Sequence, residues 1–264
     1  MAGVDQLTNV REMAAQQKRA TAKIITVLSG KGGVGKTNLA LNMSMALQDA
    51  GKDVALFDAD VHFSDIHLLA GEEEKGVLAD VASGRESLNK LEITRESGLK
   101  IISAPSGVET SDMFDEYIKE EFFKQIYQYK TSHDYIVIDT GAGLSQTIVD
   151  FARLADETIV VITPEPAAVS DGYAMIKVLS RLSQQMTFSV VINLAETKDE
   201  AEEVYERFSL VVEHFLGAPV HYLGYILFDK QVRKAVRSQQ PLLQFNRNSS
   251  AARSITHIAG RFIT

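Results

Sequence analysis

The chain has 264 residues, 45% of them hydrophobic and 23% charged, a length and balance that suit one large α/β domain. It has no cysteine, which removes disulfides, thiolate nucleophiles and thiolate-held clusters, and its apolar runs are strand-sized, so neither a transmembrane helix nor a secretory signal is expected and the location read is cytoplasmic. The net charge of −8 argues against a general nucleic-acid surface, yet residues 229–264 carry seven basic residues (Lys230, Arg233, Lys234, Arg237, Arg247, Arg253, Arg261) against the acid Asp229, leaving +6 there and −14 elsewhere.

In chain order, residues 1–22 form a polar arm with Leu7, Val10 and Ala14 at helical spacing, too short to fold stably alone, ahead of a domain over 23–264. A strand over 23–28 leads through a glycine loop into a helix over 37–50 that ends at Gly51, and a second buried strand follows at 53–58. Residues 61–75 are expected as a loop, 77–81 as a short helix, 99–104 as a strand halted by Pro105, and part of 111–129 as a helix. Strands at 135–139, 158–163, 188–194 and 220–227 alternate with helices at 170–182, from the Thr197/Glu200 capping box to 216, at 231–238 and at 250–262. That alternation predicts a doubly wound, mainly parallel sheet with helices on both faces and ligands outside the carboxyl ends of the strands. The last helix carries Ile255, Ile258, Phe262 and Ile263 on one face, which either packs on the sheet or lies on lipid.

The glycine loop is the most specific signal. Gly30-Lys31-Gly32-Gly33-Val34-Gly35-Lys36-Thr37 matches the phosphate-binding loop spacing, in which backbone N–H groups wrap a triphosphate and the next helix points its positive end at the anion. Lys36 can reach the β- and γ-phosphates, the Thr37 hydroxyl can ligate Mg²⁺, and Asn38 continues the first turn. A single lysine suffices to hold the phosphates, so Lys31 either points into solvent or serves a phosphate its own chain does not hold. Asp58 and Asp60, spaced i and i+2 at the end of the second strand, suit orienting Mg²⁺ through water and positioning the attacking water. Four apolar residues before Asp139, with Gly141 and Gly143 after it, match a Walker B strand followed by a switch. Asn193 ends an apolar strand where its amide can meet a base edge, or is simply a polar strand end, and the absence of an NKxD spacing favours ATP over GTP. The six histidines show no metal-ligand spacing, so the metal expected is Mg²⁺ on the nucleotide.

The run from Gly30 to Thr37 resembles the deviant Walker A box of the MinD/ParA ATPases, and with the Asp58–Asp60 and Asp139 motifs the resemblance spans about residues 23–262. It implies that Lys31, Lys36 and Asp60 are catalytic, Lys31 across a dimer interface and Asp60 on the water. It also implies that Gly32, Gly33, Val34, Gly35, Lys36, Thr37, Asn38, Asn193, Phe228 and Asp229 hold ATP or ADP, and that Thr37, Asp58 and Asp139 serve Mg²⁺. Asp65 stands where that family often has asparagine and His67 where it often has aspartate; His62 and His67 are read as loop or interface residues. Three further stretches, Asp5-Gln6-Leu7-Thr8-Asn9-Val10-Arg11, the run from Thr163 to Ala174, and Phe228 to Val236, are similar to the FlhG/FleN flagellar-number branch. That branch implies an ATP-dependent homodimer, and an arm whose Asp5, Gln6 and Arg11 activate a signal-recognition-type flagellar GTPase. It further implies other flagellar components or a transcription regulator as partners, and peripheral contact with the inner face of the membrane. The alternatives are a partition or positioning ATPase on DNA or membrane, and a non-hydrolysing ATP-dependent scaffold.

Overall fold

The computed structural model describes residues 22–60, 65–73, 90, 92–103, 120, 123–124, 126–182 and 186–263. The arm with Leu7, Val10 and Ala14 and the short helix expected at 77–81 lie outside those residues.

The elements run β1 (Lys23–Leu28), α1 (Lys36–Asp49), β2 (Val54–Ala59), α2 (Ile66–Ala70), β3 (Glu92–Thr94), β4 (Lys100–Ser103) and β5 (Tyr135–Thr140). They continue through α3 (Gln146–Leu154), β6 (Glu157–Ile162), α4 (Pro166–Leu182), β7 (Phe188–Ala195), α5 (Lys198–Leu216), β8 (Val220–Leu227), α6 (Lys230–Arg237), α7 (Leu242–Phe245) and α8 (Ser250–Gly260). Eight strands form one sheet in the order β3-β4-β2-β5-β1-β6-β7-β8, parallel throughout except for the antiparallel edge strand β3. β1 sits between β5 and β6, so the chain leaves it in both directions along the sheet. The crevice outside its carboxyl end is therefore the natural ligand position.

Strands buried on both faces read as unbroken apolar runs, and β2 and β5 are buried at every position. Side chains alternate between the two layers. Ile25 and Val27 pack with α1, α7 and α8, whereas Ile24 and Leu28 pack on the opposite face, where α3, α4 and α5 supply Phe151, Met175 and Phe208. The apolar stripe of α8 belongs to the first layer: Ile255, Ile258 and Phe262 are buried and Ile263 packs against them. Of the two readings open for that stripe, the sheet takes it.

α4 starts at Pro166, four residues before the expected start, because proline is preset for the first helical turn. The box opening α5 forms as expected at Thr197, whose Oγ1 accepts from Glu200 N at 3.1 Å, while Glu200 reaches back to Glu196 N at 2.6 Å. β3, α2, α3 and α7 have no counterpart in the sequence reading. Three of them have five residues or fewer, too few for a period to show, and α3 follows a Ser145 cap that could have announced it.

α7 is tied to α1 by Asn42, which is fully buried; its Oδ1 accepts from Leu243 N at 2.9 Å and its Nδ2 donates to Asn38 O at 2.8 Å. Asn42→Ala leaves the Leu243 N–H unpaired in the interior. We expect a loss of roughly 1–3 kcal/mol, read as a lower urea midpoint at unchanged slope.

Candidate functional site

β1 delivers the chain into a loop closed on itself by Ser29, whose buried hydroxyl donates to Lys31 O at 2.7 Å. Gly33 and Gly35 take left-handed φ values of 78° and 91°. α1 begins at Lys36 with Gly35 as its cap, no side-chain cap bond and no acid in its first turn. By contrast, α3, α5, α6 and α8 start beneath Ser145, Thr197, Asp229 and Ser249, each accepting a backbone N–H. The first N–H groups of α1 thus lack the side-chain acceptor its neighbours have, and they face the carboxyl edge of the sheet where an anion would complete them. Gly30 permits this placement, since a Cβ there would stand 2.5 Å from the Asp171 carbonyl carbon of α4.

Beside the loop, Asp58 and Asp139 are partners in the β2–β5 register and each is 1% exposed. Asp58 Oδ1 accepts from Asp60 N at 3.1 Å and its Oδ2 from Ile66 N at 3.2 Å, which fastens the chain on both sides of residues 61–64 to the end of β2. Asp60 is carried to the β5 side, its Oδ2 lying 3.3 Å from where a Cβ on Gly141 would be. Burial pushes the Asp139 carboxyl well above the ordinary carboxylate range; Asp58 and Asp60 push the same way, and a hydrogen bond with Thr37 and the Lys36 charge pull against them. Asp139 Oδ1 is buried without a hydrogen-bond partner. Three carboxylates around one largely buried lysine, an orphaned carboxylate oxygen and the Thr37 hydroxyl fit a divalent cation shared with a polyphosphate. Among the described residues no three acidic or histidine side chains form a protein-only metal cage, and a Mg²⁺ taking most ligands from phosphate and water does not need one.

The structure brings Lys36, Thr37, Asp58, Asp60 and Asp139 together with the loop residues Gly32, Val34 and Gly35. Lys31 stands outside this group, half exposed, 3.7 Å from Glu165 Oε2. Three residues expected at the nucleotide site also carry intramolecular side-chain hydrogen bonds. Asn38 turns along α1, its Oδ1 accepting from Asn42 at 3.1 Å. Asp229 caps α6 through Gln231 N at 2.8 Å and ties down α8 through Ser250 Oγ and Ala251 N, at 3.0 and 3.2 Å. Burial raises the Asp229 carboxyl, but these bonds outweigh it and hold it below the usual carboxylate value. Asn193 points at the loop rather than into open space, donating to Val34 O at 2.7 Å. Each of its polar groups has capacity for one further bond. Phe228 is exposed just past the end of β8, where its N–H donates to Ala195 O of β7 and the Arg233 guanidinium lies 5.4 Å from its ring centre.

His67 is a buried residue of α2 rather than a loop residue, and its Nδ1 has no partner. Asp65 is drawn into the site's field: burial, then Asp60, raise its carboxyl, while His67 and Lys36 oppose the rise. Neither position carries a motif that would have marked it. Asp5, Gln6, Arg11 and His62 fall outside the described residues.

The ParA family profile, described as NUBPL iron-transfer P-loop NTPase, matches residues 20–263. With no cysteine in this sequence, thiolate-held iron does not extend to it. The antiactivator FleN of Pseudomonas aeruginosa is 33% identical over 237 residues, covering 90% of this chain and 85% of that protein. The flagellum site-determining protein YlxH of Helicobacter pylori is 29% identical over 269 residues, 99% of this chain and 89% of that one. The crystal structure of the cell division ATPase MinD of Pyrococcus furiosus superposes with a TM-score of 0.73 at 22% identity, covering 90% of this chain and 97% of its own.

The raised Asp139 carboxyl stabilises the fold in its protonated form and loses that contribution as pH rises through its folded pKa. Nucleotide-free Asp139→Asn should therefore melt above the parent at pH 8. The gap should narrow as pH falls towards the unfolded value of 3.8, a trend that differential scanning calorimetry would read.

Proposed function

Because the chain belongs to the ParA family of P-loop NTPases, we propose that it is a MinD-like ATPase switch that cycles between a monomer and an ATP-bound dimer and regulates flagellar number or placement. The observation that carries the ATPase reading is the α1 N-terminus, open to an anion and facing the buried Asp58–Asp139 pair. The loop amides and Lys36 bind the phosphates, and the buried strand ends hold Asp139 and Asp58 in place. Asp60, on the segment that Asp58 anchors, positions the attacking water. Thr37, Asp139 and Asp58 would hold Mg²⁺, which supplies charge neutralisation on the β- and γ-phosphates.

Lys31 supports the dimer reading. Its contact with Glu165 is an exposed pair, 44% and 64% accessible, of a kind worth about 0–1 kcal/mol, so exchanging it for a partner's phosphate costs little. The FleN and YlxH relatives support the flagellar setting. Within it we assign Asp5, Gln6 and Arg11 of the arm to a signal-recognition-type GTPase, with other flagellar components or a transcription regulator as further partners. The base falls to Asn193 and Phe228. No helix among the described residues is long and apolar enough to cross a membrane, and contact with the inner membrane face would be peripheral.

Multi-angle light scattering should show a dimer with Mg-ATP and a monomer with ADP, and a Lys31→Ala monomer in both; unchanged dimerisation of that variant rejects the cross-interface role. In the same cycle Asp60→Ala should bind ATP and release phosphate about 10²- to 10⁴-fold more slowly. A synthetic peptide of residues 1–20 should accelerate GTP turnover by the flagellar GTPase. Absence of acceleration by both peptide and full chain would remove the assignment of the arm.

A further inference from the structure

Leu194 is one of two non-glycine residues with positive φ among those described, at 60°. The other, Gln239 at 49°, follows the end of α6, whereas Leu194 lies inside a strand. A left-handed conformation is unfavourable for any residue with a Cβ, and most so for a branched one. Its cause is a one-residue bulge: Asn193 pairs with Ile226 and Ala195 with Leu227, so Leu194 is extruded from the ladder and 38% exposed.

The bulge has a direct product. It turns Leu194 N back onto Asn193 Oδ1 at 2.9 Å, which leaves Asn193 Nδ2 aimed at Val34 O, 2.7 Å away in the interior. The amide can take only this orientation, because one neighbour is a donor and the other an acceptor. Gly35 makes room, since a Cβ there would overlap Asn193 Nδ2. Val34 O and Gly35 N–H belong to one planar trans peptide and point in opposite directions. Drawing the carbonyl towards β7 therefore turns the Gly35 N–H away from β7 and into the loop.

We propose that Asn193, set by the Leu194 bulge, is a positioning residue for the phosphate loop, aiming the Gly35 N–H at the phosphate tail independently of any contact with the base. The inference rests on the reading of this site as an ATP site. The end of β7 thereby gains a second role, since the strand that borders the base position also sets the geometry of the anion nest from 159 residues away.

Tripolyphosphate separates the two roles because it has no base. Calorimetric titration of the full chain with Mg-ATP and with Mg-tripolyphosphate, well below the ligand-free melting point, should show Asn193→Ala and Asn193→Asp weakening tripolyphosphate roughly 3- to 10-fold and Mg-ATP by at least that factor. Asn193→Asp keeps the shape and the Leu194 contact but sets a carboxylate against a carbonyl. An Asn193 that serves only the base would leave tripolyphosphate binding unchanged, and that result overturns the proposal. Leu194→Val touches no polar group, yet a β-branched side chain resists the left-handed φ; it should weaken tripolyphosphate as well, and unchanged binding would remove the bulge from the assignment. Failure of the parent protein to bind either ligand would instead reject the ATP site itself.

Discussion

Two like charges forced together in a dry place organise this protein. Asp58 and Asp139 occupy paired positions on adjacent parallel strands, both buried, with Asp60 close by and Lys36 the buried cation near them. A fold that left this arrangement to itself would gain from replacing it. It is tolerable because Asp58 commits its oxygens to the Asp60 and Ile66 N–H groups, and because burial and the neighbouring carboxylates push the Asp139 carboxyl towards its neutral form. On the function proposed above, stability is traded here for a site whose charge a bound cation completes.

The loop follows the same logic with partial charges. Four helices among the described residues have a hydroxyl or carboxylate over their first turn; α1 has a glycine and no acid. Both the acids and the amides are therefore unfinished on the same edge of the sheet, one set lacking a cation and the other an anion. A Mg-nucleotide supplies both at once, which is why the two halves of the site belong together.

Away from that edge the commitments are structural. The basic C-terminal region is divided by the fold: Arg247 pairs with Asp49, Arg253 donates to Asn248 O and Arg261 to Tyr222 O, while Arg233, Lys234 and Arg237 of α6 remain exposed. Its apolar stripe fills the layer beside α1, and Asp229 clamps α6 to the start of α8. The segment is a lid on the core with a cationic outer face, rather than a tail.

What the sequence determined by itself is local in origin. Apolar runs of four to six residues read as buried strands, the Gly30–Thr37 spacing reads as a phosphate loop, and an acid closing such a run, as at Asp58 and Asp139, falls near the carboxyl end of its strand. These signals need no partner elsewhere, so fold class, phosphate loop and acidic residues were all legible. The tertiary structure alone decided the pairings. Nothing near Asn193 in sequence announces Val34, nothing near Lys31 announces Glu165, and nothing near Asp229 announces Ser250. Short elements such as α2 and β3 escaped for a related reason: their few residues carry no period of their own, and they exist because the sheet edge and the Asp58 carboxylate hold them. A side chain's type states which bonds it can make, but which of them it makes depends on which distant backbone the fold brings within 3 Å.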